Sequence, residues 1–304
     1  MRLMTGEAIS GLARHRAMVS RVPPHAYFVG SALFHYLGPA FAVLLFARID
    51  VSGVAWLRIV SAAAIFAVWR RPWVALVRGD RETRLTVVAL GVVLAMMNLS
   101  FYGAIDRLPL GTVAAIEFLG PIGLAVVGAR TAHNVAALGF AAAGVYLLTD
   151  VRLAGEPLGI ALAFVNGALF TLYIVLAHRS ARLPGPSTPI QRLGAAMVVA
   201  AVVVTPIGLG GAAPALVDPV ALFAGIGVGI TSSVIPYVFD QVAMAQLPRS
   251  TYALFVALLP ATAVVIGILV LHQIPALVGV AGVACVIVGV AVHQDVSVER
   301  QVTA

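Results

Sequence analysis

Long apolar stretches separated by short polar segments occupy nearly the whole chain. Most are about 18 to 22 residues long, the length with which an α-helix crosses a hydrocarbon core of about 30 Å. The pattern therefore predicts an all-α integral membrane protein with ten transmembrane helices. The predicted spans are residues 26–46, 51–69, 86–105, 110–129, 133–149, 158–177, 191–209, 219–241, 250–271 and 274–292.

One segment of the chain returns 139 residues later. Residues 108–128 align without gaps to residues 247–267, and 8 of the 21 positions are identical, where composition alone would give about two or three. The chain is therefore duplicated, with five spans in each half. Because five crossings are an odd number, the second copy must enter from the opposite side of the membrane. We predict two inverted five-helix repeats, 25–149 and 158–292, joined by a linker at 150–157.

Composition and charge agree with a membrane protein. Hydrophobic residues make up 61% of the chain and charged residues 10%, whereas a soluble domain has about 45–50% apolar residues. The net charge of +7 comes from arginines that alternate between loops: 14 of the 19 lie in the tails and the even-numbered loops. By the positive-inside rule, the tails 1–24 and 293–304 are predicted to be cytoplasmic. No basic patch interleaved with aromatic residues indicates nucleic-acid binding.

Several classes of site find no support in the sequence. No small-residue cleavage pattern follows the first apolar run, so we expect no cleavable signal peptide. The sole cysteine, Cys285, permits neither an intramolecular disulfide nor a thiolate metal site, and we predict no metal or cofactor. An intramembrane enzyme would need a nucleophile with a base, paired carboxylates or a metal. Neither His-Glu-x-x-His nor Gly-x-Ser-x-Gly occurs, so transport is favoured over catalysis.

Glu117 is the principal candidate for a transport site. It lies about 10 Å inside the fourth span, beside the helix-breaking Gly120-Pro121, and an intramembrane carboxylate next to broken backbone is typical of transporters. Its counterpart in the second repeat is Val256, so the shared scaffold does not require it. A carboxylate at this depth needs protonation or a buried cation, and we expect Arg58 as its partner. Proton coupling, ammonium binding and a structural ion pair are the alternatives.

Other polar residues within the spans are candidates for the same cavity. Asn98 and Tyr102, like their repeat counterparts Tyr237 and Gln241, are spaced i, i+4 and share a helical face. These faces should point into the bundle, either as interhelical hydrogen bonds or as substrate lining.

The remaining candidates are single positions within the spans. Asp240, near the cytoplasmic end of the eighth span, is expected to be a gate or a loop anchor. Pro121 and Pro260 are expected to break the fourth and ninth helices. The other cavity candidates are His35, Tyr36, Asn166, Thr171 and Tyr173.

Three stretches together resemble a known family. They are Met97-Asn98-Leu-Ser-Phe101-Tyr102, Pro109-Leu-Gly through Glu117-Phe-Leu-Gly-Pro121, and Ile235-Pro236-Tyr237 followed by Leu247-Pro248. The chain resembles the EamA branch of the drug/metabolite transporter superfamily, and within it the bacterial threonine/homoserine exporters. The resemblance implies a ten-helix inner-membrane carrier that exports small metabolites, amino acids in particular, by proton antiport. Glu117, Asn98 and Pro236-Tyr237 match the motif residues of that family.

The second repeat departs from the pattern of similar exporters. Leu259-Pro260-Ala261 stands where they often carry Glu-Pro-Ala, and His272-Gln273 where they often carry Gly-Glu. Glu117 is thus left as the main candidate for coupling, with facilitated efflux as the alternative. An exporter of drugs, nucleosides or other metabolites is the second hypothesis, favoured by a wide aromatic cavity. The aromatic residues concerned are Tyr36, Phe101, Tyr102, Tyr173, Tyr237 and Tyr252.

Overall fold

The computed structural model describes residues 24–128, 131–150, 156–237, 239 and 259–292. Within these ranges every regular element is a helix. The helices are α1 (Pro24–Leu45), α2 (Val51–Arg70), α3 (Trp73–Val77), α4 (Arg81–Ile105), α5 (Leu110–Glu117), α6 (Leu119–Gly128), α7 (Ala132–Asp150), α8 (Pro157–Arg182), α9 (Pro189–Val217), α10 (Pro219–Gly229), α11 (Leu259–Leu271) and α12 (Leu277–Val292). A π-helical turn, Ile230–Val234, follows α10.

The helical segments confirm the predicted all-α membrane class. Within the described ranges, five segments are long and apolar enough to cross a membrane: Val51–Arg70, Arg81–Ile105, Pro157–Arg182, Pro189–Val217 and Pro219–Tyr237. Five shorter apolar helices are Val29–Leu45, Leu110–Leu124, Ala132–Leu147, Leu259–Leu271 and Leu277–Val292. Each of the ten overlaps one predicted span. Their arrangement as two inverted repeats stays a prediction, and most of the predicted tails and linker lies outside the described residues.

Short polar residues set where several helices begin. The side chain of Asp50 accepts a hydrogen bond from the Ser52 amide at 2.8 Å, and that of Asp80 accepts one from the Thr83 amide at 2.8 Å. These hydrogen bonds satisfy amides that have no partner within the helix. The pKa of Asp50 is lowered by hydrogen bonds from the side chain and then the amide of Ser52, and the pKa of Asp80 is lowered in the same order by those of Thr83. Asp218 caps α10 in the same way.

The helix pairing is that expected of two related halves. Corresponding helices pack together, α2 against α9 and α7 against α12. Two other sets of contacts are exchanged between the halves: α1 packs on α10 and α11, as α8 packs on α4 and α5. In addition, α9 and α10 begin at Pro189 and Pro219, each within one residue of the position 139 residues after the start of α2 or α4. The two-fold relation between the halves, which the duplication predicts, stays a prediction.

Glycines allow the corresponding helices to come close. A Cβ atom added to Gly53 of α2 would lie 2.5 Å from the Ala212 amide nitrogen of α9, and one added to Gly144 of α7 would lie 2.5 Å from the Gly282 carbonyl oxygen of α12. No side chain fits at such distances. Small residues at these crossings let the backbones pack directly, as in other membrane bundles.

The loops gather at two ends of the bundle. The arginine-poor end contains the loops 46–50, 106–109 and 272–276, and the arginine-rich end contains the segments 71–80 and 183–188. An exposed ion pair marks each end, Arg48–Asp218 at 3.3 Å and Arg179–Glu82 at 2.9 Å. Exposed pairs contribute little stability, but they identify which helix ends lie together.

Candidate functional site

Glu117 lies at a break between two helices in the middle of the bundle. Helix α5 ends at Glu117 and α6 begins at Leu119, so the fourth predicted span is two helical pieces. Pro121 has no amide hydrogen and cannot donate to the carbonyl of Glu117 four residues earlier, which accounts for the break. Helix α8 passes close by, since a Cβ on Gly167 would lie 3.4 Å from the Glu117 Cα. The Glu117 residue is only 7% exposed.

Two buried polar atoms beside Glu117 lack partners. Asn166 of α8 donates from Nδ2 to Glu117 Oε1 at 3.1 Å. The Oδ1 of Asn166 and the phenolic oxygen of Tyr36 are buried, and neither has a hydrogen-bond partner in the described part of the chain. Tyr36 also interacts electrostatically with Glu117. Buried polar atoms are normally hydrogen-bonded, because leaving them unpaired costs free energy. These two unpartnered oxygens make the surroundings of Glu117 a candidate polar binding site.

Arg58 forms a second buried charge near this site. Its guanidinium donates to Ser233 Oγ at 3.1 Å, to Tyr102 Oη at 3.4 Å and to the Ser232 carbonyl at 3.2 Å. The residue is 8% exposed and stacks on the Tyr102 ring, 5.4 Å from its centroid.

The two buried charges are not directly paired. The ion pairs within 4.0 Å among the described residues do not include Arg58 with Glu117, although the two charges interact through space. The direct Glu117–Arg58 ion pair expected from the sequence is thus absent among the described residues. Each charge is instead hydrogen-bonded to uncharged groups, Glu117 to Asn166 and Arg58 to Ser233, Tyr102 and the Ser232 carbonyl.

Pro236 explains how Arg58 is held. Because Pro236 has no amide hydrogen, the Ser232 carbonyl four residues earlier lacks its helical donor. The Ile235 amide instead bonds to the carbonyl of Ile230, five residues back, which forms the π turn. The Ser232 carbonyl accepts the hydrogen bond from Arg58 at 3.2 Å. Such π turns often occur at functional sites. Ser232 and Ser233 were not among the sequence candidates, though two serines shortly before a proline in an apolar span are a signal for them.

Three further candidates, Asn98, His35 and Thr171, make contacts other than a direct hydrogen bond to Glu117 or Arg58. Asn98 is buried but donates to the Leu94 carbonyl of its own helix at 2.8 Å. The His35 ring lies 5.3 Å from that of Tyr36 and interacts electrostatically with Arg58. Thr171 donates to the Gly167 carbonyl at 2.8 Å, so its hydroxyl bonds to its own helix.

Cavities lie on either side of the buried charges. At the arginine-rich end, a cavity of about 90 Å³ is lined in part by Tyr173 and Tyr237. At the arginine-poor end, a cavity of about 300 Å³ is lined in part by Arg107, Thr112 and Gln273. Glu117 lines neither cavity; it lies five residues beyond Thr112, or about 7.5 Å along the helix. The central charges are therefore closed off from both.

Three predicted positions are described only in part or not at all. Pro260 is buried and is the second residue of α11, but the residues before α11 lie outside the described part, so a helix break there stays a prediction. Asp240 and Gln241 also lie outside it. Among the described residues, no group of three His, Cys, Asp or Glu side chains is placed to hold a metal ion.

Comparisons with known proteins identify a family and support the helical fold. The model of the EamA-like transporter family matches residues 157–293. The threonine/homoserine exporter RhtA of Escherichia coli (strain K12) is 30% identical over 242 residues, which cover 78% of this chain and 79% of the exporter. RhtA of Salmonella typhimurium (strain LT2) is 29% identical over 271 residues, covering 87% and 88%. A protein crystal structure matches with a TM-score of 0.58 over 88% of this chain and 97% of its own, and at 17% identity it supports the fold alone.

Proposed function

The chain belongs to the EamA-like transporter family, and we propose that it is a bacterial inner-membrane secondary transporter that exports small metabolites. The family makes the protein a membrane transporter and not an enzyme. Amino acids of the threonine and homoserine type are the proposed substrate class, because the relatives named above are threonine/homoserine exporters. The observation that carries the proposal at this chain's own site is the pair of separate buried charges, Glu117 and Arg58.

The two charges suit a zwitterion. Glu117 is positioned for a substrate ammonium, and the unpartnered oxygens of Asn166 and Tyr36 offer two further acceptors for its hydrogens. Arg58 is positioned for a carboxylate. A substrate without charged groups would leave both Glu117 and Arg58 buried without an ionic partner, which is unfavourable. An amino acid would supply one opposite charge to each.

The transport cycle follows from the arrangement of the bundle. We take the ten helical segments as two inverted five-helix repeats, with the arginine-rich end and both termini in the cytoplasm. The substrate enters from the cavity at the arginine-rich end and binds at Glu117. Rocking of the repeats, with Pro121 and Pro260 as breaks in the moving helices, then opens the site toward the cavity at the arginine-poor end. There a proton displaces the ammonium from Glu117 and permits the return step, giving antiport.

Counterflow in proteoliposomes tests this function. The purified full chain is reconstituted and offered labelled threonine, homoserine, nucleosides and cationic dyes, with and without an imposed pH gradient. We expect threonine or homoserine exchange, with net flux increased by the gradient. Flux of dyes or nucleosides alone would contradict the amino-acid assignment and support the alternative exporter class.

Two variants, each with a single substitution, test the role of Glu117 in coupling. Glu117→Gln should retain its fold and lose the response to the pH gradient. Glu156→Gln is the matched control, because Glu156 is exposed beside the start of α8 and its side chain makes no capping hydrogen bond. An unchanged pH response in Glu117→Gln would refute the coupling role.

A further inference from the structure

The hydrogen bonds of Arg58 leave a set of unused donors around it. Three of the five guanidinium N–H groups are used, by Ser233, Tyr102 and the Ser232 carbonyl. Ser233 and Tyr102 accept these bonds through their hydroxyl oxygens. In the described part of the chain neither hydroxyl donates its own hydrogen to an acceptor. Two N–H groups of Arg58 and the hydroxyl hydrogens of Ser233 and Tyr102 thus have no acceptor among the described residues, and both hydroxyls lie within 3.4 Å of the same guanidinium.

This donor set matches a carboxylate. An ionised carboxylate accepts about four hydrogen bonds through its two oxygens, and bonds from a guanidinium to a carboxylate are among the strongest in proteins. The position is also fixed from three sides, since Arg58 lies on α2, Tyr102 on α4 and Ser233 in the π turn that follows α10. Because Pro236 favours the π turn, and the π turn presents Ser232 and Ser233 to Arg58, this proline helps to orient the guanidinium.

The duplication indicates that the shared scaffold does not need Arg58, Ser233 or Pro236, whereas the position of Tyr102 is polar in both repeats because its counterpart is Gln241. The positions 139 residues away from Arg58, Ser233 and Pro236 hold Met197, Leu94 and Met97. All three counterparts are apolar, as Val256 is for Glu117. A hydrogen-bonded cluster that served only to hold helices together would be equally useful in either half.

We propose that Arg58, Tyr102 and Ser233 form a carboxylate subsite through which the transporter selects amino acids over their amides and alcohols. The proposal rests on the function proposed above and adds Ser233 as a residue that determines specificity. The substrate carboxylate receives N–H hydrogen bonds from Arg58 and O–H hydrogen bonds from Ser233 and Tyr102. Its ammonium group lies toward Glu117.

The test compares probes with and without a carboxylate. Counterflow of labelled threonine is measured in proteoliposomes, with unlabelled threonine, threoninamide and threoninol as competitors. In Ser233→Ala, we expect the KM for threonine to rise roughly 10- to 100-fold, as for the loss of a hydrogen bond to a charged group. Competition by threoninamide and threoninol should change less than about twofold. Tyr102→Phe should act in the same direction, and Ser233→Thr should retain the wild-type preference because it keeps the hydroxyl.

Ser100→Ala is the matched control. The Ser100 hydroxyl is also buried but bonds to the Met96 and Met97 carbonyls of its own helix, so its loss should leave all three probes unchanged. Equal loss for threonine, threoninamide and threoninol in Ser233→Ala would show a structural role and overturn the subsite alone. Equal competition by the three probes in the wild type would do the same. Absence of amino-acid transport by the wild type would overturn the proposed function, and the subsite with it.

Discussion

Replacing Asn166 by leucine separates a substrate-binding role from a structural one. Leucine has nearly the shape of asparagine and no polar atoms. The change removes the 3.1 Å hydrogen bond to Glu117 Oε1, which contributes about 1.5–3 kcal/mol if the carboxylate is charged. It also removes the buried Oδ1 that lacks a partner, which relieves a penalty of about 1–3 kcal/mol. The two effects have opposite signs and similar size.

We therefore expect Asn166→Leu to change the free energy of unfolding by less than about 1.5 kcal/mol and to raise the KM for the transported amino acid. The rise should be about tenfold or more, because one acceptor for the substrate ammonium is lost and Glu117 no longer has its donor. Thermal unfolding of the detergent-solubilised protein measures the first quantity, and counterflow measures the second.

Thr205→Val provides the contrasting case. Thr205 accepts a hydrogen bond from the Trp56 indole at 2.9 Å and so links α9 to α2 away from the central charges. Its replacement should lower stability by about 0.6–2 kcal/mol and leave the KM unchanged. If Asn166→Leu instead lowers stability by more than about 3 kcal/mol with an unchanged KM, Asn166 serves only to hold α8 against its neighbours and does not bind substrate.

Three further perturbations test the fold around the site. Asp50→Ala should lower the free energy of unfolding by about 0.5–2 kcal/mol at pH 7. Because Ser52 lowers the pKa of Asp50 in the folded state, this stabilisation is present above the pKa of Asp50 in the unfolded chain. It is lost as the pH falls through the pKa of Asp50 in the folded protein. Unfolding of both proteins at pH 7 and pH 3 should show the difference shrinking, and a constant difference would contradict the charge effect. Gly53→Ala should force α2 and α9 apart and destabilise by about 1–3 kcal/mol, whereas Gly123→Ala, with nothing within 4 Å, should be neutral or stabilising in the same assay. Gln273→Ala removes the side-chain oxygen that accepts from the Leu110 amide at 3.0 Å, so hydrogen exchange at the start of α5 should become faster; unchanged exchange would show that the cap is unimportant.

The parts of the fold that depend on local sequence were predictable. The lengths of the apolar runs indicated the helical segments, because a membrane crossing needs a minimum number of apolar residues. The break after Glu117 followed from Pro121, which removes a backbone donor wherever it stands in a helix. Asn166 was a candidate from its polarity within an apolar span, although its hydrogen bond to Glu117 was not foreseen.

The parts that depend on helix rotation and side-chain rotamers were not predictable. Arg58 and Glu117 were expected to pair, but Arg58 instead contacts Tyr102 and the π turn. Periodicity does not report the relative rotation of two helices, and that rotation decides which partner a long side chain reaches. The π turn was not predicted, because an i to i−5 hydrogen bond leaves no pattern in hydropathy. Pro236 in the sequence indicated only that a helical hydrogen bond would be lost nearby. The cap of α5 by Gln273 joins residues 163 positions apart, and no local pattern reports such a contact.

Glu117 is proposed to couple substrate export to proton entry. The most direct measurement is threonine flux from proteoliposomes of wild type and Glu117→Gln, driven in turn by a pH gradient and by a threonine gradient alone. We expect the pH gradient to drive wild-type flux against the threonine gradient and Glu117→Gln to show no such response. If flux of Glu117→Gln follows the pH gradient as the wild type does, Glu117 is not the coupling residue.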